Sequence, residues 1–145
     1  MNHQRRSELE AAYLATEFEV EFPSGSVKFK IGASSPPLLE MLAKAQFSSW
    51  GLITPFNPDS VVLSVEENRA RLDKFCQELA SLQVVCYVAY GHDPTGEWLA
   101  ERGYLIGNLK LDDYRMLGIK WGQAAVVVGK DGGVPQLIWC SETVS

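Results

Sequence analysis

The sequence predicts an α+β protein, a two-layer sandwich in which helices cover one face of a mainly antiparallel sheet. Three observations carry that expectation. Period-two alternation runs through Phe18, Val20 and Phe22 and returns in Val27, Phe29 and Ile31; Val84 to Tyr90 is almost wholly apolar and rich in β-formers; and a capped amphipathic pattern begins at Ser64. From Trp50 the order reads strand, helix, strand, strand, helix, strand. That is the order of a ferredoxin-like split βαβ core, here preceded by an N-terminal helix and hairpin and followed by one further strand. Element order alone leaves the strand order open.

The first helix is expected to start at Ser7, with Glu10 in the capping-box position, and to end near Ala15. The alternating segments on either side of Pro23-Ser24-Gly25-Ser26 form a hairpin. Opposing Phe22 to Val27 across a four-residue turn sets Val20 against Phe29, Glu21 against Lys28 and Glu19 against Lys30, with all apolar pairs on one face. Pro36 and Pro37 open a helix capped by Ser35, and Trp50 to Thr54 is a strand. Ser64 and Glu67 make a capping box for a long helix whose apolar stripe is Val65, Leu72, Phe75, Cys76, Leu79 and Leu82. Val84 to Tyr90 reads as a strand covered on both faces, Gly91 to Gly96 as a turn, and Trp98 to Ile106 as a strand with polar interruptions. Asp112 can cap a short helix that stops at Gly118. Ala124 to Val128 and Gln136 to Cys140 are strands joined by a glycine-rich turn.

A chain of 145 residues and 16.1 kDa has the size of a single domain, taken as residues 1–145. At 46% hydrophobic and 21% charged, its composition is that of a folded globular protein and not of a disordered or fibrous one. A formal charge of −5 argues against a broad nucleic-acid footprint, which relies on clustered Lys and Arg. Nothing approaches the roughly 18 apolar residues of a membrane span, and Met1 to Glu10 is too polar for a secretory signal, so a cytoplasmic location is expected. Cys76, Cys86 and Cys140 are widely spaced in apolar patterns and read as reduced core thiols.

The runs LITPFNPDS, LSVEENRARL, GHDPTGEW and GQAAVVV, spread over Leu52 to Val128, resemble a bacterial family catalogued as a domain of unknown function, number 3293. The resemblance implies a fold and a bacterial cytoplasmic origin. It implies no catalytic residue.

From the residues themselves, the candidate ligand-binding set is Thr54, Asn57, Asn68, Glu101 and Gln123, with Arg102 beside Glu101 and His92 as an outlier. Asn57, between Phe56 and Pro58, either closes an Asx-turn on its own backbone or presents a donor and an acceptor to a ligand. Asn68 lies in the first turn of the capped helix, where it closes a polar loop or faces water. Glu101 and Arg102 break an apolar strand and must point to opposite faces, so one of them is a candidate buried charge with a shifted pKa. Glu101 is expected to converge with Asn57 and Asn68 on one concave site. His92-Asp93 lacks the geometry of a base with its orienting carboxylate, and the two histidines have no metal-ligand spacing. No glycine motif supports a nucleotide, and no cofactor is expected. Trp50 and Trp139 read as core, while Trp98 and Trp121 flank turns where they could line a pocket. Two functions follow: a domain binding a small ligand or a protein partner through the loop after Thr54, or an enzyme using Glu101 as general acid/base beside Asn57, Asn68 and Gln123.

Overall fold

The computed structural model describes residues 1–97 and 99–142, so the expectation for Trp98 falls outside the described residues. The chain is a mixture of helix and sheet. Its elements are α1 (His3–Ala15), β1 (Glu17–Phe22), β2 (Gly25–Phe29), α2 (Pro36–Lys44), β3 (Ser49–Ile53), a short 3-10 turn (Pro58–Ser60), α3 (Val65–Leu82), β4 (Cys86–His92), β5 (Glu101–Gly107), α4 (Leu111–Lys120), β6 (Ala125–Lys130) and β7 (Gln136–Trp139). Among the described residues seven strands form one sheet in the order β2-β1-β4-β5-β3-β6-β7, with every neighbouring pair antiparallel.

Helices flank both faces of this sheet, not one. Alternation along β3 shows it: Trp50 and Leu52 join a cluster with Phe18, Val20, Phe29 and the α2 residues Leu38 and Leu42. Ile53 instead packs with Phe75 and Leu79 of α3 and with Tyr114 and Leu117 of α4. Since successive strand residues face opposite ways, α2 lies across the sheet from α3 and α4. On the α2 side the sheet curls. Gly32 N donates to Pro135 O at 2.8 Å, tying the chain after β2 to the chain before β7, and the enclosed side chains are largely aromatic. The Phe18–Phe29 and Phe29–Trp50 ring centroids stand 5.5 and 5.3 Å apart.

Several boundaries differ from the sequence-based expectation for identifiable reasons. The hairpin turns on two residues, with Phe22 opposite Gly25, because Gly25 adopts φ 142°, so each partner slides by two: Val20 meets Val27, Glu19 meets Lys28 and Phe18 meets Phe29. A shift of two preserves the faces and changes the ion pairs. Lys28 Nζ lies 3.7 Å from Glu17, and Glu19 pairs with His92 instead of Lys30. The α1 helix begins before Ser7, with the Asn2 side chain accepting from Arg5 N. The fourth helix does not stop at Gly118. That residue is buried against the sheet, where a Cβ would lie 2.6 Å from Val126 Cγ1 and 2.7 Å from Cys140 Sγ, and the chain turns only at Gly122, at φ 75°. The capping position is Lys110, not Asp112, with the Asp113 carboxylate accepting from Lys110 N at 3.2 Å. Strand β4 is buried only at Ala89 and half-covered elsewhere, and β5 starts at Glu101. The Ser35 and Ser64 caps stand as expected, the latter as a full capping box.

Candidate functional site

At one end of the sheet β3 and β4 finish while β5 and β6 begin, and the chain leaving β3 is held there residue by residue. Thr54 Oγ1 donates to Arg102 O at 2.7 Å and accepts from Phe56 N at 3.1 Å. Pro55 O accepts from Arg71 Nε at 2.6 Å, and Phe56 O from Gln123 Nε2 at 2.9 Å. Asn57 N donates to Asn68 Oδ1 at 3.0 Å. Three remote side chains thus fasten a loop that belongs to no ladder, which meets the requirement that enclosed backbone polar groups be paired.

Asn57 is the hub. Its backbone sits in the left-handed region at φ 49°, ψ 61°, a conformation Asn tolerates better than most residues. Its Oδ1 accepts from Leu63 N and from Asn68 Nδ2, each at 2.9 Å, and its Nδ2 donates to Glu101 Oε1 at 3.0 Å. Asn68, only 7% exposed, is the buried polar side chain of α3. So Asn57, Asn68 and Glu101 do converge, and Thr54 and Gln123 grip the same loop from its two flanks.

The electrostatics centre on Glu101. Burial raises its carboxyl above the ordinary range, and the Asn57 hydrogen bond, which favours the ionised form, offsets part of that rise. Near it, the Tyr13 phenol of α1 is pushed up to about 12, first by burial and then by the Glu101 and Cys140 charges, while its hydroxyl reaches Ala125 O at 3.5 Å. Tyr13 also packs edge-on to Trp139, with centroids 6.3 Å apart. A desolvated carboxyl hydrogen-bonded to a fixed amide can hold or release a proton near a bound group. The amides themselves are already occupied by the loop.

The remaining candidates lie elsewhere. Arg102 points to the sheet face opposite Glu101, as strand alternation requires, and its Nε is enclosed without a partner among the described residues. Its neighbour there is the Tyr104 hydroxyl, which also meets Cys76 Sγ at 3.0 Å. His92 is not part of the cluster. Its Nε2 meets Glu19 Oε1 at 2.9 Å on the outer face of β1 and β4. Asp93 caps its own turn, accepting from Thr95 N at 3.0 Å. All three cysteines are free thiols, Cys140 buried and pushed up to about 11 by desolvation, the other two half-covered. Trp121 packs on Phe75 and under the Arg71 guanidinium. No group of three His, Cys, Asp or Glu side chains among the described residues could hold a metal.

Sequence reasoning missed Arg71 and Tyr13. Arg71 was findable. Counting back from buried Phe75 by helical spacing reaches Arg71 and then Asn68, whereas the stripe drawn through Val65 and Leu82 ends on exposed residues at both ends. Tyr13 had no signal beyond its place on the weakly apolar face of α1.

The whole loop-fastening set from Thr54 to Gln123 lies within residues 53–126, the stretch matched by a family model described as a protein of unknown function (DUF3293). No curated protein and no solved structure matches the chain. The matched stretch is about half the chain, and it contains the strand end, the capped helix and the β4–β5 pair that build the site. The chain belongs to the DUF3293 family.

Proposed function

We propose that the protein is a non-catalytic binding domain of the bacterial cytoplasm whose contact surface is the segment from Thr54 to Val65, and that a protein partner suits it better than a polar small ligand. One observation carries the reading. The segment's backbone is fastened through Asn57, while Val61, Val62 and Val65 stand 59, 61 and 66% exposed on it. Clustered exposed apolar side chains on an ordered loop favour association over solvation. The formal charge of −5 argues against nucleic acid as that partner. Residues 1–145 act as one domain in this reading, since the two apolar clusters are the two faces of one sheet. The order β4-β5-β3-β6 with α3 and α4 on one face supports a ferredoxin-like unit, to which α2 and the N-terminal hairpin are added.

Photo-crosslinking in the cell tests this. A crosslinking residue at position 62 is expected to give one discrete protein adduct that the same residue at exposed Glu21 does not give, and Val61→Ser with Val65→Ser should abolish it. Adducts of equal yield from both positions, or none from position 62, overturn the reading.

A second reading has its own support. The raised carboxyl of Glu101, close enough to Tyr13 to act on the phenol, suits a general acid/base. It ranks lower because the Asn57 and Asn68 amides and Gln123 Nε2 are engaged with the loop, leaving few groups to orient a substrate. Turnover of a proton-transfer substrate lost in Glu101→Gln, with the position-62 adduct unchanged, would favour it.

A further inference from the structure

A cavity of about 160 Å³ opens at the opposite end of the sheet, between the C-terminal half of α2, the start of β3 and the turn joining β6 to β7. Its floor is Leu39, Leu42, Phe47 and Trp50. Three backbone N–H groups beside it are already engaged: Phe47 N donates to Leu42 O, Asp131 N to Ser48 O at 2.9 Å and Gly133 N to Lys130 O at 2.9 Å. The hydroxyl of Ser48 is held by Asn108 Oδ1 at 3.2 Å.

Trp50 is different. It is 2% exposed, and its indole edge lies over Gly129 of the neighbouring strand, where a Cβ would collide with Nε1. Its Nε1 donates to no acceptor among the described residues, whereas Trp121 Nε1 donates to Glu78 Oε1 at 3.3 Å. Among the described residues, Arg102 Nε is the enclosed side-chain nitrogen or oxygen that lacks a partner. Trp50 Nε1, equally partnerless, therefore keeps an open side, and Trp50 lines this cavity. Indole N–H groups in such surroundings usually find an acceptor.

We propose that this cavity is a binding site for a neutral, ring-sized apolar molecule bearing a single oxygen acceptor, a ketone for instance, with that oxygen receiving the Trp50 Nε1 hydrogen. The volume sets the size, since an apolar cavity of about 150 Å³ accommodates benzene. The floor sets the apolar body. The rim sets the charge, because Lys130 and Asp131 bring one cation and one anion and leave no net field to select an ion. The indole donor sets the single acceptor, for a bound molecule without one would leave the hydrogen unpaired.

Two probes of one shape separate these claims, cyclohexanone and methylenecyclohexane, in which a CH2 group replaces the oxygen. In titrations followed by NMR, cyclohexanone is expected to move the Trp50 indole N–H resonance saturably, to show Overhauser contacts to the Leu39 and Leu42 methyl groups, and to bind up to about tenfold more tightly than methylenecyclohexane, the worth of one hydrogen bond. Ala43→Phe, at an exposed position on the cavity rim, should remove both effects while leaving the melting temperature and the other indole resonances unchanged. Absence of a saturable Trp50 shift overturns the proposal. So does equal binding of the two probes, or a shift that survives in a folded Ala43→Phe protein.

Discussion

Asn57 concentrates two demands that few residues meet together. The backbone there is left-handed, and three partners converge on its amide: Leu63 N, Asn68 Nδ2 and Glu101 Oε1. Asn57→Ala strains the backbone and leaves those enclosed groups without their partner, and is expected to lower unfolding free energy by about 3 kcal/mol. Asn57→Gly removes the same hydrogen bonds but accepts the positive φ, so it should be milder by about 1 kcal/mol. Urea denaturation of the two variants checks both the loss and the order; an alanine variant as stable as the glycine one would remove backbone strain from the account. The sequence made Asn57 legible as a turn residue because Phe56 and Pro58 bracket it. It also pointed to Glu101 as sharing a site with Asn57, but not to the direct hydrogen bond between them, since that contact joins segments whose meeting depends on the β3–β5 pairing.

Helix ends were readable where a short side chain and the first turn form a closed hydrogen-bond pattern, as at Ser35 and Ser64. The same pattern misled at Ser7. Ser7 and Glu10 have capping-box spacing, yet helix α1 already runs from His3 with Asn2 as its cap, so local spacing alone did not choose between two starts. This divergence is measurable: Ser64→Ala should cost about 1 kcal/mol and Ser7→Ala close to nothing. A substantial loss for Ser7→Ala by thermal melting would show that the helix starts where its sequence first suggested. Gly118 illustrates the other blind spot. A glycine near a helix end reads as a stop, but here it is the point at which α4 approaches Val126 and Cys140, a packing requirement that exists only once the sheet is assembled. The hairpin slip is similar, for residue alternation fixes which face a side chain takes and leaves a shift of two undetermined until the turn is known.

At the scale of the molecule, alternation foretold an antiparallel sheet with buried aromatic residues, but not that the sheet curls until Gly32 meets Pro135, nor that helices lie on both its faces. Those features come from contacts between distant segments. The curl also explains the charge that β5 carries inward. Glu101 shares its strand face with Leu105, which belongs to the enclosed aromatic cluster, so its carboxyl sits at the mouth of that core and loses hydration. A carboxyl harder to ionise in the folded chain than in the unfolded one contributes its stabilisation fully while both forms are protonated. That contribution is lost as pH rises from the unfolded value, about 4.3, through the raised folded one. Wild-type stability should therefore carry a downward component between the acid range and neutrality that Glu101→Gln lacks. The glutamine carbonyl still accepts from Asn57 Nδ2, so the variant keeps the loop fastened while removing the ionisation. It is expected to be as stable as wild type near pH 4 and more stable at pH 7, with the gap opening across the interval in which Glu101 ionises. Urea unfolding at a series of pH values measures it, and a gap of constant size at all pH values would mean that Glu101 acts through its hydrogen bond alone.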